Sequence, residues 1–184
     1  MKILIAEDNR DIAFLYRVVL EARNHNITVT DNGEDCLTIY RQELKNFVSM
    51  MGSIDNNKQH VFDTVILDYR MPGINGIEVA REIIKINPKQ RIIIASAYPR
   101  ETIFDSMKEL GRLVELVQKP ISLVTLIDAT ENKQFYSELQ RLNQDAATQE
   151  FNLVTHEQFR DLPPIMLRSK YGSKVIEGNE QALL

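Results

Sequence analysis

Cysteine is almost absent from this chain: Cys36 is the only one in 184 residues. A single thiol builds neither an intramolecular disulfide framework nor a CxxC metal pair, which excludes a disulfide-stapled secreted scaffold and a zinc-stapled fold and fits a reducing cytoplasm. Cys36 itself falls in an apolar helical pattern and reads as a small core residue. Long hydrophobic runs are missing too, since no apolar stretch approaches the roughly 18 residues that would suggest a membrane-spanning helix. The amino-terminal run 1–6 is short and meets acids at Glu7 and Asp8, unlike a secretory leader with its longer apolar core and cleavage site. Nor is there a strong excess of one charge. With 22 Lys and Arg against 26 Asp and Glu the net charge is −4, so the chain has no general attraction for nucleic acid or anionic membranes. Its three histidines, His25, His60 and His156, are far apart and lack metal-ligand spacing.

What is present is an alternation. The length suits one ordinary α/β domain with an appendage. Five β-branched apolar runs, at 2–6, 27–30, 64–67, 91–95 and 114–118, are bounded by polar or turn residues and read as buried strands. Helical periodicity lies between them. Residues 11–23 place Ile12, Leu15, Tyr16, Val19 and Leu20 on one face. Residues 76–86 place Ile77, Ala80, Ile83 and Ile84 inward, with Pro88 beyond the end. Further helices are expected at about 34–45 and 101–110, with Gly111 as a stop. A last helix begins near Ser122 as N-cap, with Leu123, Leu126 and Ile127 facing the sheet. Strands alternating with helices imply βαβ units and a doubly wound parallel sheet covered on both faces.

Ligands of such sheets bind beyond the carboxyl ends of the strands, near the topological switch point. Glu7 and Asp8 follow the first strand, Asp68 the third, Ser96 the fourth and Lys119 the fifth, so all are expected on one rim. Clustered carboxylates repel unless a cation or protons compensate. Hard oxygen ligands favour Mg2+, which takes one or two carboxylates together with waters and a phosphate. A lysine and a small hydroxyl suit phosphate oxygens. Together these residues suit in-line phosphoryl transfer to a carboxylate, with Asp68 as nucleophile exposed by the turn-rich segment that follows it.

At these residues a family resemblance emerges. The stretch 68–76, DYRMPGING, resembles the phosphoacceptor loop of response-regulator receiver domains, and 3–8, ILIAED, their first strand with its acidic pair. Ser96-Ala97 is similar to the family's hydroxyl and small residue, and Lys119-Pro120 to its lysine and following proline. The resemblance covers about residues 1–130. It implies a five-stranded flavodoxin-like sheet of order 2-1-3-4-5, with Asp8 and Asp68 ligating Mg2+ directly, the Arg70 carbonyl as a third ligand and Glu7 acting through water. It also implies that Ser96 and Lys119 contact phosphoryl oxygens, that the Lys119–Pro120 peptide is cis, and that the phosphodonor is a histidine kinase or phosphotransfer protein. Such a protein is a phosphoacceptor switch rather than an enzyme, its chemistry limited to phosphorylation of itself and autodephosphorylation.

The pattern also departs from the family. Three residues before the lysine, where an aromatic ring is usual, stands Leu116; Tyr98, two residues after Ser96, is the nearest alternative ring and, with the fourth-helix surface, the expected reporter of the phosphoryl state. Residues 46–60 exceed the usual loop. Phe47, Val48, Met50 and Met51 suggest a longer second helix, before a polar stretch at 52–59, read as a tolerated surface insertion. Residues 131–184 form an extension. Phe135, Leu139 and Leu142 keep helical spacing, so the last helix is expected to project and to pair with a second copy. The remainder, with one short helical segment at 155–160 before Pro163-Pro164, reads as a docking tail or partly disordered segment. Its thin basic content disfavours a DNA-binding module. A phosphatase of the haloacid-dehalogenase type is disfavoured because Asp68 is followed by Tyr69 and Arg70, not by the Asp-x-Asp of that group.

Overall fold

The computed structural model describes residues 1–51, 61–111, 114–132 and 136–137. In chain order they form β1 (Lys2–Ala6), α1 (Arg10–Glu21), β2 (Asn26–Thr30), α2 (Gly33–Met51), β3 (Thr64–Asp68), α3 (Gly76–Ile86), β4 (Ile92–Ser96), α4 (Arg100–Lys108), β5 (Glu115–Gln118) and α5 (Leu123–Glu131). All strand pairings are parallel, and the sheet order is β2-β1-β3-β4-β5. The expected doubly wound sheet is therefore the one observed.

Every residue of β3 and β4 is buried, which is why these segments read as continuous apolar runs and not as alternating strands. Alternation survives in direction. Leu4, Val65, Leu67, Ile92, Ile94 and Leu116 pack into one core with α2, α3 and α4. Ile3, Ile5, Ile66, Ile93 and Val117 turn to the other face, where Tyr16 and Leu20 of α1 and Leu126 and Ala129 of α5 cover them. Two core layers thus flank a sheet whose carboxyl edge is left for chemistry.

Local signals set the helix starts. Asn9 caps α1 by accepting from the Asp11 and Ile12 amides, both at 3.1 Å. Asn75 and Glu78 form a reciprocal capping box at α3, satisfying backbone donors that the first turn leaves free. Ser122 caps α5, accepting from Thr125 N at 3.0 Å. The second helix does run on to Met51, whereas residues 52–60 lie outside the described residues.

Three expectations are corrected. Leu15 is 45% exposed and Leu123 42% exposed. The inward face of α1 is centred on Ala13, Tyr16 and Leu20, so Leu15 is rotated toward solvent; Leu123 is the first residue of α5, ahead of the turns that contact the sheet. Nor does α5 project uninterrupted. Asn132 leaves helical geometry at φ −71°, ψ 89°, and Tyr136 then returns to the domain, its hydroxyl donating to Lys89 O at 2.7 Å. Phe135, Leu139, Leu142 and the segment 155–160 lie outside the described residues.

Candidate phosphoacceptor site

β1 has β2 on one side and β3 on the other, so the connections wind away on opposite faces at the β1/β3 boundary and leave a crevice there. The register Ala6↔Leu67 sets Glu7 and Asp8 beside Asp68, and Asp68↔Ala95 and Ser96↔Gln118 bring the ends of β4 and β5 to the same level. Backbone hydrogen bonds extend the ladders past the strand ends: Tyr69 N to Ala95 O and Lys119 N to Ser96 O, each 2.7 Å, and Glu7 N to Thr30 O at 3.0 Å. The candidate side chains are therefore carried on or directly after hydrogen-bonded strand ends. The Lys119–Pro120 peptide is cis, as the resemblance implied.

Glu7, Asp8 and Asp68 can place one carboxylate oxygen each within 4.8 Å of one another. Lys119 lies between two of them, its Nζ 2.6 Å from Glu7 Oε2 and 3.0 Å from Asp68 Oδ2. Glu7 and Asp68 are buried while Asp8 is exposed at the mouth. Burial, the dominant cause, and mutual repulsion push the Glu7 carboxyl above its ordinary range, although the Lys119 hydrogen bond opposes this. Asp68 is likewise raised by burial, with Lys119 pulling it down. The two acids also push up the buried Tyr16 phenol, after burial itself. Glu7 Oε1 is buried and has no hydrogen-bond partner among the described residues. An orphan carboxylate oxygen in an acidic cluster suits a hard divalent cation, and the donor set fits Mg2+.

Asp8, Asp68, Tyr69, Arg70, Met71, Pro72, Ala97, Tyr98 and Lys119 line one cleft. Ser96 stands behind it, fully buried; its hydroxyl accepts from Tyr98 N at 3.0 Å and faces Tyr98 O at 3.4 Å. Leu116 is fully buried in the α2/α3/α4-side core, opposite Ile94, and is not among the residues lining the cleft.

Matching this geometry, the model of the response regulator receiver domain fits residues 3–131. The chain belongs to the response regulator receiver-domain family. Such domains serve two-component signalling, and phosphorylation on an aspartate is general among them. This receiver domain is 28% identical over 130 residues to sporulation initiation phosphotransferase F of Bacillus subtilis, covering 71% of this chain and 90% of that protein. It is 23% identical over 125 residues to a response regulator receiver protein of Anaeromyxobacter, covering 68% of this chain but 45% of that relative. A solved receiver-domain structure from Clostridium thermocellum superposes with a TM-score of 0.58 at 24% identity, over 76% of this chain and 98% of the other, and supports the fold.

Several supporting residues of this receiver domain were not visible in the sequence. Glu34, at the start of α2, accepts from Ile74 N at 3.3 Å and so holds the loop after Asp68. Gly73 there has φ +75°, and a Cβ would meet the Glu34 carboxylate at 2.3 Å. Gly76 has a tighter reason: a Cβ would stand 2.2 Å from the Asp68 carbonyl oxygen, so only glycine lets α3 start against the Asp68 backbone. Gln118 donates to Ser96 O at 2.8 Å. The Arg70 side chain, for which the sequence suggested only a carbonyl role, reaches across the mouth to the Tyr98 hydroxyl.

Proposed function

We propose that Asp68 is the phosphoacceptor of a Mg2+-dependent signalling switch, loaded by a histidine kinase or phosphotransfer protein in the cytoplasm. The observation that carries this reading is Lys119 Nζ seated 3.0 Å from Asp68 Oδ2 within a cluster of three carboxylates, a charge arrangement suited to an incoming phosphoryl group. An Asp68 carboxylate oxygen attacks the phosphorus of a phosphohistidine. The P–N bond breaks, and its electron pair stays on the imidazole nitrogen, which then takes a proton. Lys119 swings its ammonium from Glu7 to a phosphoryl oxygen, and Ser96 turns its hydroxyl from the Tyr98 backbone to another. Glu7, Asp8, Asp68 and the Arg70 carbonyl are the residues to hold Mg2+, which when bound neutralises charge on the transferring group.

Readout falls to Tyr98 and the α4 surface, because Leu116 offers no ring and lies in the core. Residues 131–184 are proposed to form an extension that pairs two copies, which concentration-dependent sedimentation would reveal. No helix of the described residues is long and apolar enough to cross a membrane.

The test is intact mass after treatment with acetyl phosphate and MgCl2. A phosphoryl adduct on the wild type that is lost with EDTA and with Asp68→Ala is expected. An adduct of equal yield on Asp68→Ala would contradict the assignment.

A further inference from the structure

Tyr98 is tied to the cleft at two points. Its backbone N–H and carbonyl hold the Ser96 hydroxyl, and its phenol accepts a hydrogen bond from Arg70 Nη1. The Arg70 guanidinium also lies over the Tyr98 ring, 5.6 Å from its centroid, and the Tyr69 ring packs edge-on against Tyr98 at 5.8 Å. Arg70 is exposed, yet its backbone N–H sits 3.4 Å from Asp68 Oδ1. Its side chain therefore springs from the phosphoacceptor loop and closes over the β4–α4 segment. The other charges at this mouth are Asp8, Asp68 and Lys119, and Lys119 is already engaged by Glu7 and Asp68.

We propose that Arg70 is an exchangeable positioning residue: in the unmodified protein its guanidinium holds Tyr98, and a phosphoryl group on Asp68 draws it away. This rests on the phosphoacceptor reading above and adds to it the residue that couples the phosphoryl group to Tyr98. A phosphoaspartate brings roughly two negative charges into a cleft that Arg70 already lines. A guanidinium prefers a dianionic oxygen to a neutral phenol, because charge-assisted hydrogen bonds are stronger than neutral ones. Ser96, recruited to the same phosphoryl group, releases the Tyr98 backbone as Arg70 releases its ring. Both ties are lost together, and the β4–α4 segment is freed by two coupled exchanges. The device needs no ring at position 116.

The experiment follows the 13C-labelled tyrosine ring resonances and the phosphoryl half-life in wild type, Arg70→Ala, Arg70→Lys and Tyr98→Phe, the last assigning the Tyr98 signals. Beryllium fluoride with MgCl2 serves as the stable phosphoryl mimic, and acetyl phosphate with MgCl2 as the donor for lifetimes. The Tyr98 signals should shift on loading in wild type. In Arg70→Ala they should already be displaced before loading and move little afterwards. The phosphoryl half-life of Arg70→Ala should fall at least about threefold, the effect of losing one solvent-screened ion pair, and Arg70→Lys should restore part of it. Tyr98 signals that move on loading as far in Arg70→Ala as in wild type, with an unchanged or longer half-life, would overturn the proposal. A wild type that loads normally but whose Tyr98 signals stay still would also overturn it while leaving the phosphoacceptor reading intact. Failure of wild type to load at Asp68 would remove both.

Discussion

Replacing Lys119 by methionine removes the ammonium while keeping an unbranched stem, and the consequence follows from what Nζ touches. It lies 2.6 Å from Glu7 Oε2 and 3.0 Å from Asp68 Oδ2, with side-chain exposures of 12% for Lys119, 2% for Glu7 and 11% for Asp68. At an effective dielectric of about 20 each contact is a gross attraction of roughly 6 kcal/mol. Much of that offsets the cost of desolvating three charges, and stripping one partner from a buried cluster costs on the order of 3 kcal/mol net. Lys119→Met should therefore lower the melting temperature by roughly 10 °C at pH 8 without Mg2+. The deficit depends on pH. The folded-state pKa values of Glu7 and Asp68 already lie above their ordinary 4.5 and 3.8, burial being the main cause, and loss of Lys119 raises them further. A carboxyl raised on folding binds protons more readily in the native state, so its cost is full above the folded value and disappears as pH falls toward the unfolded one. The deficit should thus shrink between pH 8 and pH 5. Mg2+ should shrink it as well, because the variant, in which Nζ no longer competes for the carboxylates, binds Mg2+ more tightly than wild type; at saturating Mg2+ each tenfold difference in Kd recovers about 1.4 kcal/mol of the deficit. Urea denaturation followed by circular dichroism at both pH values, with MgCl2 and with EDTA, measures each effect. A deficit independent of both pH and Mg2+ would show that Lys119 contributes packing and not charge.

Three other outcomes are expected from the same coordinates. Gly76→Ala places a Cβ 2.2 Å from the Asp68 carbonyl oxygen, which the backbone cannot yield without moving Asp68; a loss of about 2 kcal/mol in urea denaturation and slower acceptance from acetyl phosphate should accompany each other. Arg91→Met strips the counter-charge 3.3 Å from the fully buried Glu115 and the donor to the Thr130 carbonyl at 2.8 Å. It should cost about 3–5 kcal/mol, and the double replacement with Glu115→Leu should recover most of that. Glu131 receives hydrogen bonds from Arg23 and His25, chiefly the former holding its carboxyl down at about 2. A depressed carboxyl stabilises the fold above its ordinary 4.5 and loses that effect as pH falls to about 2, so Glu131→Gln should lower the unfolding free energy from urea denaturation at pH 7, by up to about 1 kcal/mol, and hardly at all near pH 2.

Much of the fold was readable because β3 and β4 carry unbroken apolar runs, Val65 to Leu67 and Ile92 to Ala95, a pattern expected of a sheet covered on both faces. The site was readable for a related reason: Glu7, Asp68, Ser96 and Lys119 each end or directly follow a strand, and parallel winding brings those ends to one edge whatever the loops do. Helix faces were less secure. In α1 Tyr16 and Leu20 are buried as expected and Ile12 and Val19 pack against the core, but the small Ala13 is buried and the large Leu15 exposed, so weighting by apolar bulk set one edge of the predicted face too far round. Asn132 ended a helix that the spacing of later leucines seemed to prolong, since periodicity does not register a single residue that leaves helical φ and ψ. What stayed hidden were partners set by tertiary approach. The Glu34 contact with Ile74 spans 40 residues, and the Arg91 contact with Thr130 spans 39; no local pattern pairs them. Arg70 and Tyr98 met only once the β3–α3 and β4–α4 loops were placed side by side.

The carboxylate that takes the phosphoryl group decides between Asp68 and its neighbours. Borohydride reduction of protein treated with acetyl phosphate and MgCl2, followed by peptide mass mapping, converts an acyl phosphate into an alcohol and marks its position. Reduction confined to Asp68, and lost when Mg2+ is withheld, is the predicted result. Reduction at Glu7 or Asp8, or a label that appears equally without Mg2+, would contradict it.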